Sequence, residues 1–158
     1  MHQTITKIES PDNKIYYISG YPDNGVKYLD FLRKEGITDV FNFCYMDNCD
    51  PYLNYSNINY YLMPFKDGSF PEPYLIDNFL LKCQEILQKN NKIGIFCKSG
   101  MGRGPTMVAL HMITNKMDNQ EVIEHIRKKR KGCFNNLQIQ GIIEYKKSNE
   151  NYNCCILS

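Results

Sequence analysis

Cys97 and Arg103 bracket a short loop, Cys97-Lys98-Ser99-Gly100-Met101-Gly102-Arg103, between an apolar run (Ile93 to Phe96) and a helical pattern (Pro105 to Ile113). A loop that closes a strand and opens a helix points backbone N–H groups inward, where they bind an anion at the positive end of the helix dipole. Gly100 and Gly102 let the backbone curl around a small dianion, and the Arg103 guanidinium can fork onto two of its oxygens. The same field favours a thiolate: cysteines in such settings titrate at roughly 3.5–7.5 instead of ~8.5. A fall of about 3 pH units is worth about 4 kcal/mol in favour of the nucleophilic form. The chemistry indicated is phosphoryl transfer through Cys97, with Lys98, Ser99, Gly100, Met101, Gly102 and Arg103 binding the phosphate. A buried structural cysteine is the plain alternative, and the flanking strand, glycines and helix weigh against it.

Such a reaction needs a proton donor for the departing oxygen. Pro64-Phe65-Lys66-Asp67-Gly68 offers Asp67. Alone, an Asp-Gly pair means a turn; beside the Cys97 loop, it points to a general acid. Asp77 is the weaker substitute because it falls inside a helical pattern.

These residues need a scaffold. Thr4 to Ile8 and Ile15 to Ile18, with Pro11-Asp12-Asn13 between them, read as a hairpin. Val26 to Glu35 reads as a helix stopped by Gly36. Val40 to Cys44 and Tyr60 to Met63 read as short buried strands, and Pro64 to Pro73 as a rigid loop. Ile76, Phe79, Leu80, Cys83, Ile86 and Leu87 mark a long amphipathic helix. Asp118 with Glu121, and Asn135 with Gln138, resemble capping pairs that open two final helices. Strands alternating with helices predict an α/β fold, a small mainly parallel central sheet flanked by helices. Ligands of such sheets sit beyond the strands' carboxyl ends, where the Cys97 loop falls.

At 158 residues the chain is of single-domain size. A net charge of +2 is too small to suggest nucleic acid. No apolar run is long enough to span a bilayer, and the N-terminus lacks a signal segment. Seven cysteines without a regular framework fit a reducing cytosol. Neither they nor the histidines have zinc-ligand spacing, so no metal or other cofactor is expected.

The last four residues, Cys155-Ile156-Leu157-Ser158, form a prenylation signal whose terminal serine favours farnesyl. One chain anchors only marginally, so a second signal is expected. Cys154 is a candidate for palmitoylation. The run Arg127-Lys128-Lys129-Arg130-Lys131 reads either as a contact with anionic lipid or as a solvated helix end. Together these predict a peripheral, lipid-anchored protein on the cytoplasmic face of the plasma membrane or endomembranes.

The chain resembles a small dual-specificity-type protein tyrosine phosphatase, and within that group the prenylated phosphatases of regenerating liver, the PRL family. The likeness runs from Ile15 to Ser158. It rests on Pro64 to Gly68, Cys97 to Pro105, Lys129 to Asn135 and the C-terminal Cys-Cys-x-x-x. It implies the cysteine-phosphatase fold over residues 1–147 and a flexible tail over 148–158. It implies Cys97 as nucleophile, Arg103 as phosphate clamp and Asp67 as general acid, with a phosphotyrosine-type protein or another small phosphoester as substrate. Cys44 matches the PRL cysteine that forms a reversible disulfide with the nucleophile; a small buried apolar residue is the other reading of it. PRL proteins also dock cyclin-M magnesium transporters through this face, so a binding module is the main rival to an enzyme. Lys98 resembles a lysine of lipid phosphatases in this superfamily, which makes phosphoinositide hydrolysis a third reading beside a merely solvated lysine.

Four positions depart from the related proteins. Most such phosphatases place Ser or Thr after the arginine, and PRL proteins alanine; this chain has Gly104. Without that hydroxyl the phosphocysteine should hydrolyse slowly. Phe96 replaces a histidine, Met63 a tryptophan, and Lys66 a second aspartate.

Overall fold

The computed structural model describes residues 4–45 and 57–146. The expected hairpin forms from β1 (Thr6–Glu9) and β2 (Ile15–Ser19), which pair antiparallel. Asn13 supplies the left-handed residue of its turn, with φ 65°. Helix α1 (Gly25–Glu35) follows, capped by the Asn24 side chain and stopped at Gly36, whose φ is 71°. Next come β3 (Asp39–Asn42), β4 (Asn59–Leu62), α2 (Pro73–Leu87) and β5 (Lys92–Phe96). The described residues end with α3 (Arg103–Thr114), α4 (Asn119–Lys129) and α5 (Asn136–Glu144).

The strand order is β1-β2-β5-β3-β4, and every pairing except β1 with β2 is parallel. Strand alternation sorts the core into two layers. Tyr16, Ile18, Phe41, Ile93 and Ile95 face α2, α3, α4 and α5, whereas Tyr17, Val40 and Phe96 face α1. Gly94 lets α1 settle close: a β-carbon there would lie 3.1 Å from Val40 and 3.3 Å from Leu32.

The sequence boundaries move in two places that bear on the site. The third strand ends at Asn42 rather than Cys44, because Asn42 Oδ1 accepts the Cys44 amide at 2.7 Å and turns the chain. The helix after the loop begins at Arg103 rather than Pro105. Proline is tolerated there because first-turn amides have no partner within the helix. Both capping signals are realised. Asp118 accepts from Gln120 and Glu121, and Asn135 with Gln138 forms a reciprocal capping box. No helix among the described residues is long and apolar enough to cross a membrane.

Candidate active site

β5 is flanked on both sides by parallel strands, so its carboxyl end opens at the middle of the sheet, where Cys97 begins the loop. The loop carbonyls are held from outside, one after another. Tyr21 N–H donates to Lys98 O at 3.0 Å, and Phe134 N–H donates to Met101 O at 2.8 Å. Arg130 Nε donates to Gly100 O at 2.6 Å, and its Nη2 reaches Ser99 O at 3.5 Å. In a planar trans peptide the N–H points opposite its carbonyl. Fixing four successive carbonyls outward therefore turns the amides of Ser99, Gly100, Met101 and Gly102 toward the opposite, concave side. Met101 N–H is shared with Ser99 Oγ at 3.2 Å.

The Gly100 requirement is steric as well as torsional. Its φ is 72°, and a β-carbon would lie 2.5 Å from Ser19 C and 2.6 Å from Gly20 N.

Cys97 is buried, and its Sγ accepts the Gly104 amide at 3.5 Å, on the first turn of α3. The sulfur thus lies at the positive end of a helix. Gly104 also leaves room beside it: a β-carbon there would stand 3.7 Å from Cys97 Sγ and 3.1 Å from Ile95 Cγ2.

Arg103 is buried, and its Nη1 donates to the carbonyls of Phe43 (3.1 Å) and Phe65 (3.0 Å). Those two bonds fix the guanidinium plane and leave its other edge for a ligand. Among the described residues Nε makes no hydrogen bond, and Nη2 has only a weak 3.9 Å contact with Cys44 Sγ. An Nε/Nη2 edge matches two oxygens of one phosphate. Asp67 Oδ1 lies 3.5 Å from Nε, which brings the candidate acid to the clamp.

The predicted residues divide accordingly. Cys97, Ser99, Gly100, Met101, Gly102, Arg103, Asp67 and Cys44 come together at this one end of the sheet, and Lys98 is exposed at the loop's first position. Cys44, Cys83, Cys97 and Cys133 are buried, and none is in a disulfide. Burial pushes the Cys83 thiol well up and raises Cys133 to about 11. Cys49, Cys154 and Cys155 lie outside the described residues.

The basic run is not one uniform surface. Arg127 donates to Cys133 O and Phe134 O, and Arg130 is drawn onto the loop, so only Lys128, Lys129 and Lys131 are fully exposed.

Two supporting residues carry more than their sequence signals suggested. Gln138, legible as half of a capping box, is buried, and its side chain underlies Gly102: a β-carbon there would meet Gln138 Nε2 at 2.9 Å. Asn135, the cap itself, donates to Gly68 O at 2.9 Å, and Gln138 Nε2 reaches Ser69 O at 3.5 Å. One helix start therefore braces both the phosphate loop and the loop bearing Asp67.

Comparison with known proteins agrees with this geometry. The family "Dual specificity phosphatase, catalytic domain" matches residues 17–148. The probable protein tyrosine phosphatase type IVA A of Dictyostelium discoideum is 32% identical over 85% of this chain and 82% of its own. Mouse protein tyrosine phosphatase type IVA 2 is 27% identical over 93% and 94%. A solved protein tyrosine phosphatase from Leishmania major superposes with a TM-score of 0.78 at 25% identity, covering 93% of this chain and all of that one. With a cysteine, an amide cup and a buried guanidinium where that chemistry requires them, the chain belongs to the dual-specificity phosphatases and, among them, to the type IVA or PRL family of protein tyrosine phosphatases.

Proposed function

We propose that this phosphatase works through a long-lived phosphocysteine at Cys97, close to a membrane to which a farnesyl group on Cys155 anchors it. In the first step Cys97 sulfur attacks phosphorus, and the bond to the departing oxygen breaks. The loop amides and the Nε/Nη2 edge of Arg103 hold the non-bridging oxygens, and Asp67 gives its proton to the leaving oxygen. In the second step water attacks phosphorus, Asp67 takes back a proton, and the thiolate departs.

The second step is the slow one. The observation that carries this reading is the Gly104 position. Its missing β-carbon would be 3.7 Å from Cys97 Sγ, so a hydroxyl borne there would be within reach of the departing sulfur. This chain has none to offer. Rapid-mixing kinetics with an aryl phosphate tests the reading. A burst near one equivalent of phenol followed by a much slower steady state is expected, and linear release without a burst contradicts it.

The peripheral location draws on the Cys155 to Ser158 signal and on the exposed Lys128, Lys129 and Lys131. Cys44, whose sulfur contacts Arg103, remains the proposed redox partner of Cys97. A slow enzyme also suits a second reading, in which the same face docks a membrane protein such as a cyclin-M magnesium transporter. Catalysis requires both Cys97 and Asp67, whereas docking does not, so affinity measured with Cys97→Ser and Asp67→Ala separates the two. For the substrate, exposed Lys66 and Lys98 favour a strongly charged phosphoester, and parallel assays on a phosphotyrosyl peptide and a phosphoinositide decide between the classes.

A further inference from the structure

Arg130 looks from the sequence like one charge among five, yet it makes more internal contacts than any other member of its run. Its Nε donates to Gly100 O at 2.6 Å, inside the phosphate loop. Its Nη1 donates to Thr4 O at 2.9 Å and Thr6 Oγ1 at 2.7 Å, with Ile18 O at 3.4 Å. Its Nη2 completes the set at Ser99 O, 3.5 Å away. One planar group thus joins the end of α4, the N-terminal hairpin and the back of the loop.

We propose that Arg130 is a positioning residue for catalysis, which holds the phosphate loop in its anion-binding shape from behind and couples that shape to strand β1. The proposal rests on the reading of Cys97 to Arg103 as a phosphate cradle.

Three features of the Arg130 site support this role. First, of the four carbonyls held outward, from Lys98 to Met101, those of Ser99 and Gly100 have no backbone amide partner among the described residues; Lys98 and Met101 have Tyr21 and Phe134. Released, these carbonyls could rotate inward and set negative dipoles against a bound dianion. Second, the fit is closed. A β-carbon on Gly100 would lie 2.5 Å from Arg130 Nη2, so glycine is what admits the guanidinium. Third, a cation behind the loop adds its field to that of Arg103 without occupying the cup. Burial alone lowers the Arg130 pKa, while negative charge on Cys133 and on Cys97 works in the opposite direction.

Lysine cannot reproduce this arrangement in full, because its three donors sit on one atom, whereas the planar fork of Arg130 reaches Gly100, Ser99, Thr4, Thr6 and Ile18 from three nitrogens. Thr6 is the outer anchor, so its loss should loosen the guanidinium without removing its bond to Gly100.

The test compares wild type, Arg130→Met, Arg130→Lys and Thr6→Val by tungstate titration, burst rate constant with an aryl phosphate, and urea midpoint. Methionine keeps the buried stem while removing donors and charge. Arg130→Met should bind tungstate roughly tenfold or more weakly and slow the burst by a similar factor. Arg130→Lys should recover part of both, and Thr6→Val should weaken tungstate binding roughly twofold to threefold. A purely architectural arginine would lower the urea midpoint and leave the tungstate affinity and burst of the folded protein unchanged; that result overturns the proposal. Should Arg130→Met not fold, wild-type tungstate affinity in both Arg130→Lys and Thr6→Val overturns it equally. Wild type that fails to bind tungstate overturns the phosphate-cradle reading and this proposal with it, whereas normal wild-type binding with unaffected variants removes Arg130 alone.

Discussion

The Asp67 carboxylate sits 3.5 Å from Arg103 Nε, although its own side chain is 66% exposed and that of Arg103 only 4%. The acid lies exposed at the mouth and the clamp is buried in the wall. A phosphate entering the loop would take the Nε edge and release Asp67 toward the leaving oxygen. Asp67→Asn should therefore slow phosphocysteine formation about a hundredfold for alkyl or tyrosyl phosphates, whose departing oxygen needs a proton. For an activated aryl ester the loss should be several-fold at most. Burst rates across a leaving-group series check this, and an equal loss for all esters contradicts it.

Gly104 faces Ile95 beside the Cys97 sulfur, so position 104 is where a hydroxyl added by substitution would act on the second step. Gly104→Ser should accelerate phosphocysteine hydrolysis and shrink the burst relative to the steady state. The new β-carbon meets Ile95 Cγ2 at 3.1 Å, so the variant should also lose about 1–2 kcal/mol of stability to overpacking. Adding Ile95→Leu removes the β-branch methyl that meets the new β-carbon at nearly constant volume; the double variant should regain part of the stability while keeping the faster hydrolysis. Single-turnover decay and urea melts report the two effects separately.

Gly141 and Phe70 reverse an ordinary expectation. Alanine normally stabilises a helix interior by about 1 kcal/mol relative to glycine. At position 141 a β-carbon would lie 2.2 Å from Phe70 Cδ2, because the ring rests on the helix backbone. Gly141→Ala should destabilise by about 1–3 kcal/mol, and because Phe70 follows the Asp67 loop it should slow the burst as well. Pairing it with Phe70→Leu should restore most of the stability. A stabilised single variant would show that the ring moves freely.

Acid should weaken the fold through His111. Its ring projects from α3 into the core, 2.5 Å from the Tyr16 hydroxyl, and burial lowers its pKa from 6.5 to about 4. Between those values the unfolded chain binds a proton that the native protein refuses. Stability is therefore present in full above pH 6.5 and falls as pH drops toward 4, by about 3 kcal/mol in all. Urea midpoints across that window should show the decline, and His111→Leu should flatten it.

Much of this protein is written locally. The strand and helix runs, the Asp118 cap, the Gly36 stop and the Asn135–Gln138 box are short-range signals realised within two or three residues. Tyr60 to Met63, read as buried, instead forms the edge strand β4 with Leu62 exposed, because burial depends on where a strand falls in the sheet. The cup could be read because its parts are contiguous, from Cys97 to Arg103. What could not be read is remote in sequence. Arg130 meets Gly100 across 30 residues and Thr6 across 124, and a basic run gives no hint which of its charges turns inward. Likewise the cradle for Arg103 Nη1 is two backbone carbonyls, Phe43 and Phe65, which no side-chain pattern betrays. The Phe70 ring that lies on Gly141 comes from a loop remote in sequence, a contact no local pattern shows.

A covalent phosphocysteine at Cys97 is tested most directly by intact-protein mass spectrometry. After brief exposure to an aryl phosphate and acid quenching, the chain should carry a single phosphoryl group. Peptide mapping should place that group on Cys97, and it should persist longer than in Gly104→Ser and be missing from Cys97→Ser. Phosphate release with no adduct at any time, or undiminished release by Cys97→Ser, would contradict the account.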